Sequence, residues 1–365
     1  MTAPLLEARH VRREFGGGLF ERQRLVAVSG ASLRLPQDRP VVVAIAGESG
    51  SGKTTLARLL LGMVPPTSGS ILYEGTDLND LDRPQRRVFR RQVQAVFQDP
   101  FGVFNPFYRV DHTLTMPVAK FFPELSRAQR LERIEEGLRA VGLRAEETLG
   151  RYPHELSGGQ RQRIMVTRAL LLDPKVIVAD EPVSMVDASL RATILESLFR
   201  IHQERNISLV YITHDLTTAY QLSHTILIMY QGNVVEVGDV DQVIKAPKHP
   251  YTQLLVRSIP FADTKRRWGE DPSAVSTAAS VTSAQATAEI AESAQTVDVK
   301  ESGTSAGGCP FANRCPQMMA RCHQSNPPLV LTDPDRAAAC YLYDDAPPLT
   351  QQQIGELSYG GLQDA

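Results

Sequence analysis

The alternation of apolar and polar positions predicts two strands near the start of the chain, over 4–15 and 24–36, each with one solvated face. The run Val41–Ala46 is different because all of its residues are apolar, which is typical of a strand buried on both faces in the centre of a parallel sheet. Similar short runs predict further strands: Ser70–Tyr73, Gln94–Phe97, Val176–Ala179, Ser208–Ile212, Thr225–Met229 and Val234–Val237.

Helical patterns separate these runs. We predict helices over Thr55–Gly62, Arg86–Arg91, Arg161–Leu172 and Ala188–Glu204. Strands that alternate with helices in this way predict an α/β fold with a doubly wound sheet.

A helical subdomain is predicted as an insertion over about 104–170. Ser126 and Gln129 form a capping box at the start of one of its helices. Apolar residues then recur at three- and four-residue spacing, and we expect all of them to pack in a core: Leu131, Ile134, Leu138 and Val141.

Length and composition fit a folded protein of two or three domains, since the 365 residues are 42% hydrophobic and 22% charged. A net charge of −2 gives no electrostatic argument for a nucleic-acid partner. The first 20 residues lack the apolar core of a secretory signal, and no run of about 18 apolar residues occurs. We therefore expect that the chain does not itself span a membrane.

The composition changes sharply after residue 260. Residues 272–308 are mainly Ala, Ser, Thr and Glu, so we predict a flexible linker over 261–308. The following segment, 309–345, contains all four cysteines of the chain and is predicted to be a small module of its own, followed by a tail over 346–365. The ordered part before the linker is predicted to be one domain, 1–260.

The strand Val41–Ala46 leads into a phosphate-binding loop. Gly47, Gly52, Lys53 and Thr54 have the spacing G-x-x-x-x-G-K-[ST], directly before a predicted helix. Backbone N–H groups in such a loop surround a triphosphate, and the helix points its positive end at the same charge. Lys53 is predicted to reach the β- and γ-phosphates, and Thr54 to ligate Mg²⁺. The residues enclosed by the motif are Glu48, Ser49, Gly50 and Ser51.

Hydrolysis of a nucleoside triphosphate also needs a metal-supporting carboxylate and a group that activates water. Asp180 ends an apolar strand and is predicted to support Mg²⁺, while the adjacent Glu181 is the candidate base. Gln98 follows another strand and can connect Mg²⁺, water and the helical subdomain.

A second anion cradle is predicted at Leu156–Gln160, where Ser157 and two glycines precede a helix. Because the phosphate-binding loop already provides the first, the chain contains two half-sites for one kind of ligand. A head-to-tail dimer, in which each cradle closes on the nucleotide of the other subunit, is the economical arrangement.

With these motifs the chain resembles the ATP-binding subunits of ABC transporters over about 5–260. The motifs follow the family's order: Gly47–Thr54 (Walker A), Gln98 (Q-loop), Leu156–Gln160 (signature), Val176–Glu181 (Walker B), Ser184–Asp187 (D-loop) and Thr213-His214 (H-loop). The resemblance implies a P-loop NTPase core with an antiparallel β subdomain, in addition to the helical subdomain and the small cysteine-containing module.

The resemblance also implies residue roles. Lys53, Thr54 and Thr55 would bind phosphate and Mg²⁺, with Gln98 and Asp180 also at the metal. Glu181 would be the base, and His214 would contact the γ-phosphate. Residues acting across the dimer would be Ser157, Gly159, Gln160 and Asp187. Phe15 matches the aromatic residue that stacks on adenine. The D-loop reads Ser-Met-Val-Asp, where the family usually has Leu before the Asp.

The C-terminal part resembles the extension of oligopeptide/dipeptide-type importer ATPases. The matching residues are His249-Pro250-Tyr251-Thr252 and the segment from Gly308 to Cys340. This implies a peripheral subunit on the cytoplasmic face of the inner membrane, with a second ATPase subunit in a homo- or heterodimer and two permease subunits. An extracytoplasmic binding protein would supply the solute, a peptide or, as the alternative, an oligosaccharide. The alternatives are an ABC exporter subunit and a soluble ABC ATPase.

The cysteines Cys309, Cys315, Cys322 and Cys340 are separated by five, six and seventeen residues. Paired C-x-x-C sequences, the usual zinc signature, are absent, and Cys-Pro occurs twice as in iron–sulfur proteins. Resemblance to the peptide-importer group favours a four-iron, four-sulfur cluster on all four thiolates, with zinc as the alternative and a disulfide disfavoured in a reducing cytoplasm. We expect such a cluster to be structural and separable from nucleotide binding.

Overall fold

The computed structural model describes residues 3–16, 24–99, 102, 104–259 and 307–359. Its strands are β1 (Leu6–Gly16), β2 (Arg24–Leu35), β3 (Val42–Ala46), β4 (Ser68–Tyr73), β5 (Thr76–Asp77), β6 (Val93–Val96), β7 (Val176–Asp180), β8 (Ser208–Thr213), β9 (Thr225–Tyr230), β10 (Asn233–Asp239), β11 (Val330–Asp333) and β12 (Arg336–Ala338). Its helices are α1 (Lys53–Leu60), α2 (Arg83–Gln92), α3 (Val110–Phe121), α4 (Arg127–Ala140), α5 (Ala145–Thr148), α6 (Gly158–Leu170), α7 (Ala188–Arg205), α8 (Leu216–Leu222), α9 (Val240–Lys245), α10 (Pro250–Arg257) and α11 (Gln351–Leu357).

The core of the chain is a mixed sheet with the order β11-β12-β10-β9-β3-β8-β7-β6. The neighbours β9-β3-β8-β7-β6 run parallel, and β10, β12 and β11 pair in antiparallel fashion. All residues of β3, β7 and β8 are buried, as their apolar sequences predicted. Because β3, β8, β7 and β6 are adjacent and parallel, their carboxyl ends lie along one edge of the sheet, where open α/β sheets bind ligands.

A second, antiparallel sheet has the order β2-β1-β4-β5. Its alternating burial follows the alternating sequence, with Leu6, Ala8 and Val11 of β1 buried. It packs its apolar face in one core cluster with one face of the central sheet and with α1. The predicted α/β class with an antiparallel β subdomain is therefore confirmed.

The helical subdomain packs α3, α4 and α6 on the opposite face of the central sheet. The predicted capping box of α4 is present, with the backbone N–H of Gln129 donating to Ser126 Oγ. Of the residues expected in the core, Ile134, Leu138 and Val141 are buried, but Leu131 is 47% exposed, so its prediction was wrong. Leu131 lies seven residues before the buried Leu138 and therefore on the same side of α4, so its exposure reflects its place near the start of the helix and not the helix period.

The C-terminal part is joined to the core more closely than the sequence suggested. Strand β12 of segment 309–345 pairs with β10, so this segment extends the central sheet. Helix α11 lies in the region predicted as a tail and packs on the antiparallel sheet, where Leu357 is 1% exposed and the Arg34 backbone N–H donates to Ser358 Oγ. The predicted linker lies outside the described residues over 261–306.

In the described ranges, no helix combines the length and the apolar character needed to cross a bilayer.

Candidate nucleotide-binding site

The phosphate-binding loop connects the carboxyl end of β3 to α1. Lys53 Nζ donates to the carbonyl oxygens of Gly47 and Glu48 at 2.8 and 2.7 Å, so the lysine side chain folds back over the loop. Lys53 is only 5% exposed, and this burial lowers the pKa of its ammonium group, while the carboxylates of Glu181, Asp180 and Glu48 oppose the shift. Lys53 therefore places a buried positive charge next to these carboxylates and to the carbonyl oxygens of the loop.

Thr54 and Asp180 meet at the carboxyl edge of the sheet, as predicted. Thr54 Oγ1 donates to Asp180 Oδ1 at 3.4 Å. Burial raises the pKa of the Asp180 carboxyl, and the Thr54 hydrogen bond opposes this shift. Both residues line, together with Gln98, a cleft of about 210 Å³. Hydroxyl, carboxylate and amide oxygens are the donors that Mg²⁺ prefers, so the residues present fit a magnesium site.

Glu181 is the centre of the catalytic group that the sequence predicted. Gln98 Nε2 donates to Glu181 Oε2 at 2.9 Å, and His214 Nδ1 lies 3.2 Å from Glu181 Oε1. The three residues follow β6, β7 and β8, and adjacent parallel strands explain why residues 83 positions apart in sequence meet. The backbone of Glu181 has φ of 45°, a left-handed conformation that costs a non-glycine residue about 1–2 kcal/mol and is concentrated at functional sites.

The second predicted cradle opens α6. Ser157 is the N-cap, and its hydroxyl accepts from the backbone N–H of Gln160 while the Gln160 side chain accepts from the backbone N–H of Ser157. Gly159 is buried, and an added Cβ would lie 2.8 Å from Leu190 Cδ1 of α7. Asp187 caps α7 with an exposed side chain that makes no capping hydrogen bond. Ser157 is likewise exposed, so both face away from the core.

Phe15 lies near the end of β1, with 37% of its surface exposed. The Arg13 guanidinium carbon lies 4.7 Å from the centre of its ring, so one face already carries a cation–π contact. Exposure on a strand end is what an aromatic stacking residue requires, and the adenine-binding role stays a prediction.

Two residues that contact the phosphate-binding loop, Tyr251 and Arg314, had been given no role at the nucleotide site. The backbone N–H of Glu48 donates to Tyr251 Oη at 2.8 Å, and Arg314 binds the Glu48 carboxylate with both terminal nitrogens, at 3.1 and 3.2 Å. Because Arg314 lies between Cys309 and Cys315, the cysteine-containing segment 309–345 contacts the phosphate-binding loop. The expectation that a cluster is separable from nucleotide binding stays a prediction. The sequence marks both residues as parts of the C-terminal extension but gives no signal that they reach the loop.

A buried carboxylate holds the start of α10, the helix that carries Tyr251. Glu236 of β10 is fully buried and accepts from the backbone N–H groups of Lys248 and His249, both at 2.9 Å. Burial lowers the pKa of His249 to about 4, so its neutral ring can accept at Nδ1 from the Tyr251 backbone N–H at 3.1 Å. These contacts fix the start of α10 and hence the position of the Tyr251 hydroxyl.

The cysteines lie in one segment but do not form a recognisable metal geometry. All four are free thiols, and Cys309 N–H donates to the Cys322 carbonyl at 2.7 Å. Burial raises the pKa of Cys340 to about 11, and the charges of the other three cysteines add to this shift. Within the ranges described above, no group of three or more His, Cys, Asp or Glu side chains is arranged to hold a metal ion.

Two family profiles match the chain. The profile described as ABC transporter matches residues 28–184, and the one described as oligopeptide/dipeptide transporter, C-terminal region, matches residues 235–322. The second match includes Tyr251, Arg314 and three of the four cysteines.

Similar proteins include the dipeptide transport ATP-binding protein DppF of Escherichia coli, 41% identical over 71% of this chain and 78% of the relative. The di/tripeptide transport ATP-binding protein DppF of Pseudomonas aeruginosa is 36% identical over 92% of this chain and 97% of the relative. Among solved structures, the dimeric ATP-binding cassette MJ0796 bound to ADP and Pi matches with a TM-score of 0.57 and 26% identity, over 64% of this chain and 98% of that one.

Proposed function

The chain belongs to the ABC transporter family, among the ATP-binding subunits of oligopeptide and dipeptide transporters, and on this premise we propose that its ATP hydrolysis drives the import of peptides. The chain is an ATPase of this family. The observation that carries the chemistry is the meeting of Gln98 and His214 at Glu181. The peptide substrate class is supported by the names of the relatives and by the C-terminal match.

We assign the hydrolytic step to Glu181. Its carboxylate accepts a proton from water, the water oxygen bonds to the γ-phosphorus, and the bond from that phosphorus to the bridging oxygen of ADP breaks. Gln98 and His214 hold the carboxylate from both sides, and Lys53 binds the phosphates. When bound at Thr54 and Asp180, Mg²⁺ would neutralise charge on the phosphate oxygens.

The complete site requires a second cassette. Ser157 and Asp187 are exposed at the start of their helices, and in the proposed head-to-tail dimer they close, together with Gly159 and Gln160, on the nucleotide of the partner. The partner is either a second copy or a related ATPase subunit. Membrane permease subunits complete the transporter, with the chain bound to them as a peripheral subunit.

The proposed function is tested by ATPase assays on the chain assembled with its permease subunits in nanodiscs. Binding protein loaded with a di- or tripeptide should stimulate ATP hydrolysis, and binding protein without peptide should stimulate it much less. Stimulation by an oligosaccharide but by no peptide would contradict the assignment of substrate class while leaving the ATPase intact.

We also propose that the four cysteines hold a four-iron, four-sulfur cluster, with zinc as the alternative. The donor chemistry fits, because four soft thiols in a small segment match either metal. The proposal is supported by the C-terminal match, which includes Cys309, Cys315 and Cys322. Because thiolates are the metal ligands, binding of a metal would release the thiol protons.

Anaerobic purification is expected to give a brown protein with about four irons per chain. The variant Cys322→Ser is expected to lose most of this iron, whereas Met318→Ala, an exposed sulfur-containing neighbour, should retain it. Iron and zinc contents and the visible absorption spectrum provide the readout. A colourless wild-type protein with one zinc per chain would contradict the cluster.

A further inference from the structure

A salt bridge connects the cysteine segment to the phosphate-binding loop. The two terminal nitrogens of Arg314 lie 3.1 and 3.2 Å from the two carboxylate oxygens of Glu48, in a bidentate pair between residues 266 positions apart. Paired hydrogen bonds of this kind fix orientation as well as charge. Among the residues that the structure describes, this pair links the segment 309–345 directly to the Walker A motif.

Glu48 occupies a critical place in the loop. Its carbonyl oxygen accepts from Lys53 Nζ at 2.7 Å, and its N–H donates to Tyr251 Oη at 2.8 Å. Its carboxylate adds a negative charge to a loop whose ligand is a polyanion. Without a compensating cation this charge would repel the triphosphate and compete with it for Lys53. Salt in the solvent would weaken this repulsion without removing it.

Arg314 is placed by an aromatic cluster at the junction. Phe311 is 1% exposed, and its ring centre lies 5.3 Å from that of Tyr230 and 5.5 Å from that of Tyr251. Arg314 also donates to Tyr230 Oη at 3.3 Å, and its guanidinium lies 5.7 Å from the Phe311 ring centre. The packing of Phe311 therefore determines the position of the Arg314 guanidinium.

We propose that Arg314 is a positioning residue for ATP binding. Arg314 neutralises and orients Glu48, so the affinity of the phosphate-binding loop for ATP depends on the docking of the segment 309–345. Any change that displaces Phe311 from Tyr230 and Tyr251, including disorder around Cys309 and Cys315, would break the pair between Arg314 and Glu48 and so weaken ATP binding. The proposal takes from the proposed function only that ATP is the ligand.

The expected effect is moderate because the pair is half exposed, with 47% of the Arg314 side chain and 39% of the Glu48 side chain accessible. Arg314→Ala should raise the Kd for ATP about three- to tenfold. The loss should appear in KM rather than in kcat, because Glu181, Gln98 and His214 are untouched. It should shrink as salt rises from 50 to 500 mM, because the uncompensated charge is screened. Arg314→Lys keeps the charge but loses the paired hydrogen bonds, so its Kd for ATP should lie between those of the wild type and Arg314→Ala.

The sharpest test is charge rescue. Adding Glu48→Gln to Arg314→Ala removes the uncompensated charge, so the double variant should bind ATP more tightly than Arg314→Ala alone. The matched control is Lys175→Ala, which deletes a cation paired with Glu74 at similar exposure, 44% and 40%, at the opposite end of β7. This control should leave the Kd unchanged.

The measurement is fluorescence titration of the full-length chain with a labelled ATP analogue, with thermal unfolding to establish that each variant is folded. Equal Kd values for wild type and Arg314→Ala, or a double variant no better than Arg314→Ala, would overturn the proposal. A wild-type chain that binds no ATP would instead overturn the proposed function. If Arg314→Ala does not fold, Arg314→Gln, which removes the charge but keeps more of the side chain than alanine does, replaces it in the same comparisons with and without Glu48→Gln.

Discussion

The variant Glu181→Gln is expected to bind ATP and to hydrolyse it about a hundred- to ten-thousandfold more slowly than the wild type. The amide keeps the shape of the side chain and the hydrogen-bonding contacts near Gln98 and His214, but it cannot accept the proton of the attacking water. Lys53, Thr54 and Asp180 remain in place, so the nucleotide should stay bound and hold the dimer closed.

Phosphate release from the assembled transporter measures the hydrolysis, and size-exclusion chromatography with ATP measures the closed dimer. The matched control is Glu74→Gln, because Glu74 is also a carboxylate with a left-handed backbone, φ of 48°, and contacts Lys175 far from the nucleotide. This control should hydrolyse ATP at the wild-type rate. A Glu181→Gln rate within tenfold of wild type would show that another group activates the water.

The variant Gly52→Ala is expected to bind ATP much more weakly than Gly50→Ala. Both glycines have left-handed backbones, with φ of 99° and 79°, so either alanine costs about 1–2 kcal/mol in conformation. A Cβ at Gly52 would also lie 2.1 Å from the carbonyl oxygen of Ala27 in β2, whereas a Cβ at Gly50 would contact nothing within 4 Å. The loop must shift to remove the Gly52 clash, at a further cost of about 1–3 kcal/mol.

If all of this further cost falls on ATP binding, the affinity of Gly52→Ala should be about five- to 150-fold weaker than that of Gly50→Ala. Fluorescence titration gives the affinities, and thermal unfolding shows how much of the cost falls on stability. Equal affinity and equal stability of the two variants would mean that the loop accommodates a Cβ at Gly52 without cost, which would contradict the prediction.

The nucleotide site could be predicted from the sequence because each of its parts is local. Lys53 and Thr54 follow β3 within a few residues, and Asp180 and Glu181 end a strand whose apolar run is easy to recognise. Once the strands are parallel and adjacent, their carboxyl ends meet at one edge without further information. The hydrogen bond from Gln98 to Glu181 follows from this topology.

The remaining features depend on contacts between distant parts of the chain. Nothing local shows that β12 pairs with β10 or that α11 lies on the antiparallel sheet, because their sequences are short and weakly patterned. Leu131 shows the same limit on a smaller scale, since an apolar position on a helix is buried only if another element covers it. The contact between Arg314 and Glu48 depends on the complete fold, because the two residues are 266 positions apart and the packing of Phe311 places Arg314 beside the loop.

Peptide uptake by proteoliposomes tests most directly whether ATP hydrolysis at Glu181 drives import. The chain and its permease subunits would be reconstituted with ATP enclosed on the side of the ATPase, and a labelled tripeptide would be offered outside with its binding protein. We predict accumulation of the peptide that requires ATP and is abolished by Glu181→Gln but not by Glu74→Gln. Accumulation that persists in the Glu181→Gln transporter, or peptide movement only in the outward direction, would contradict the account.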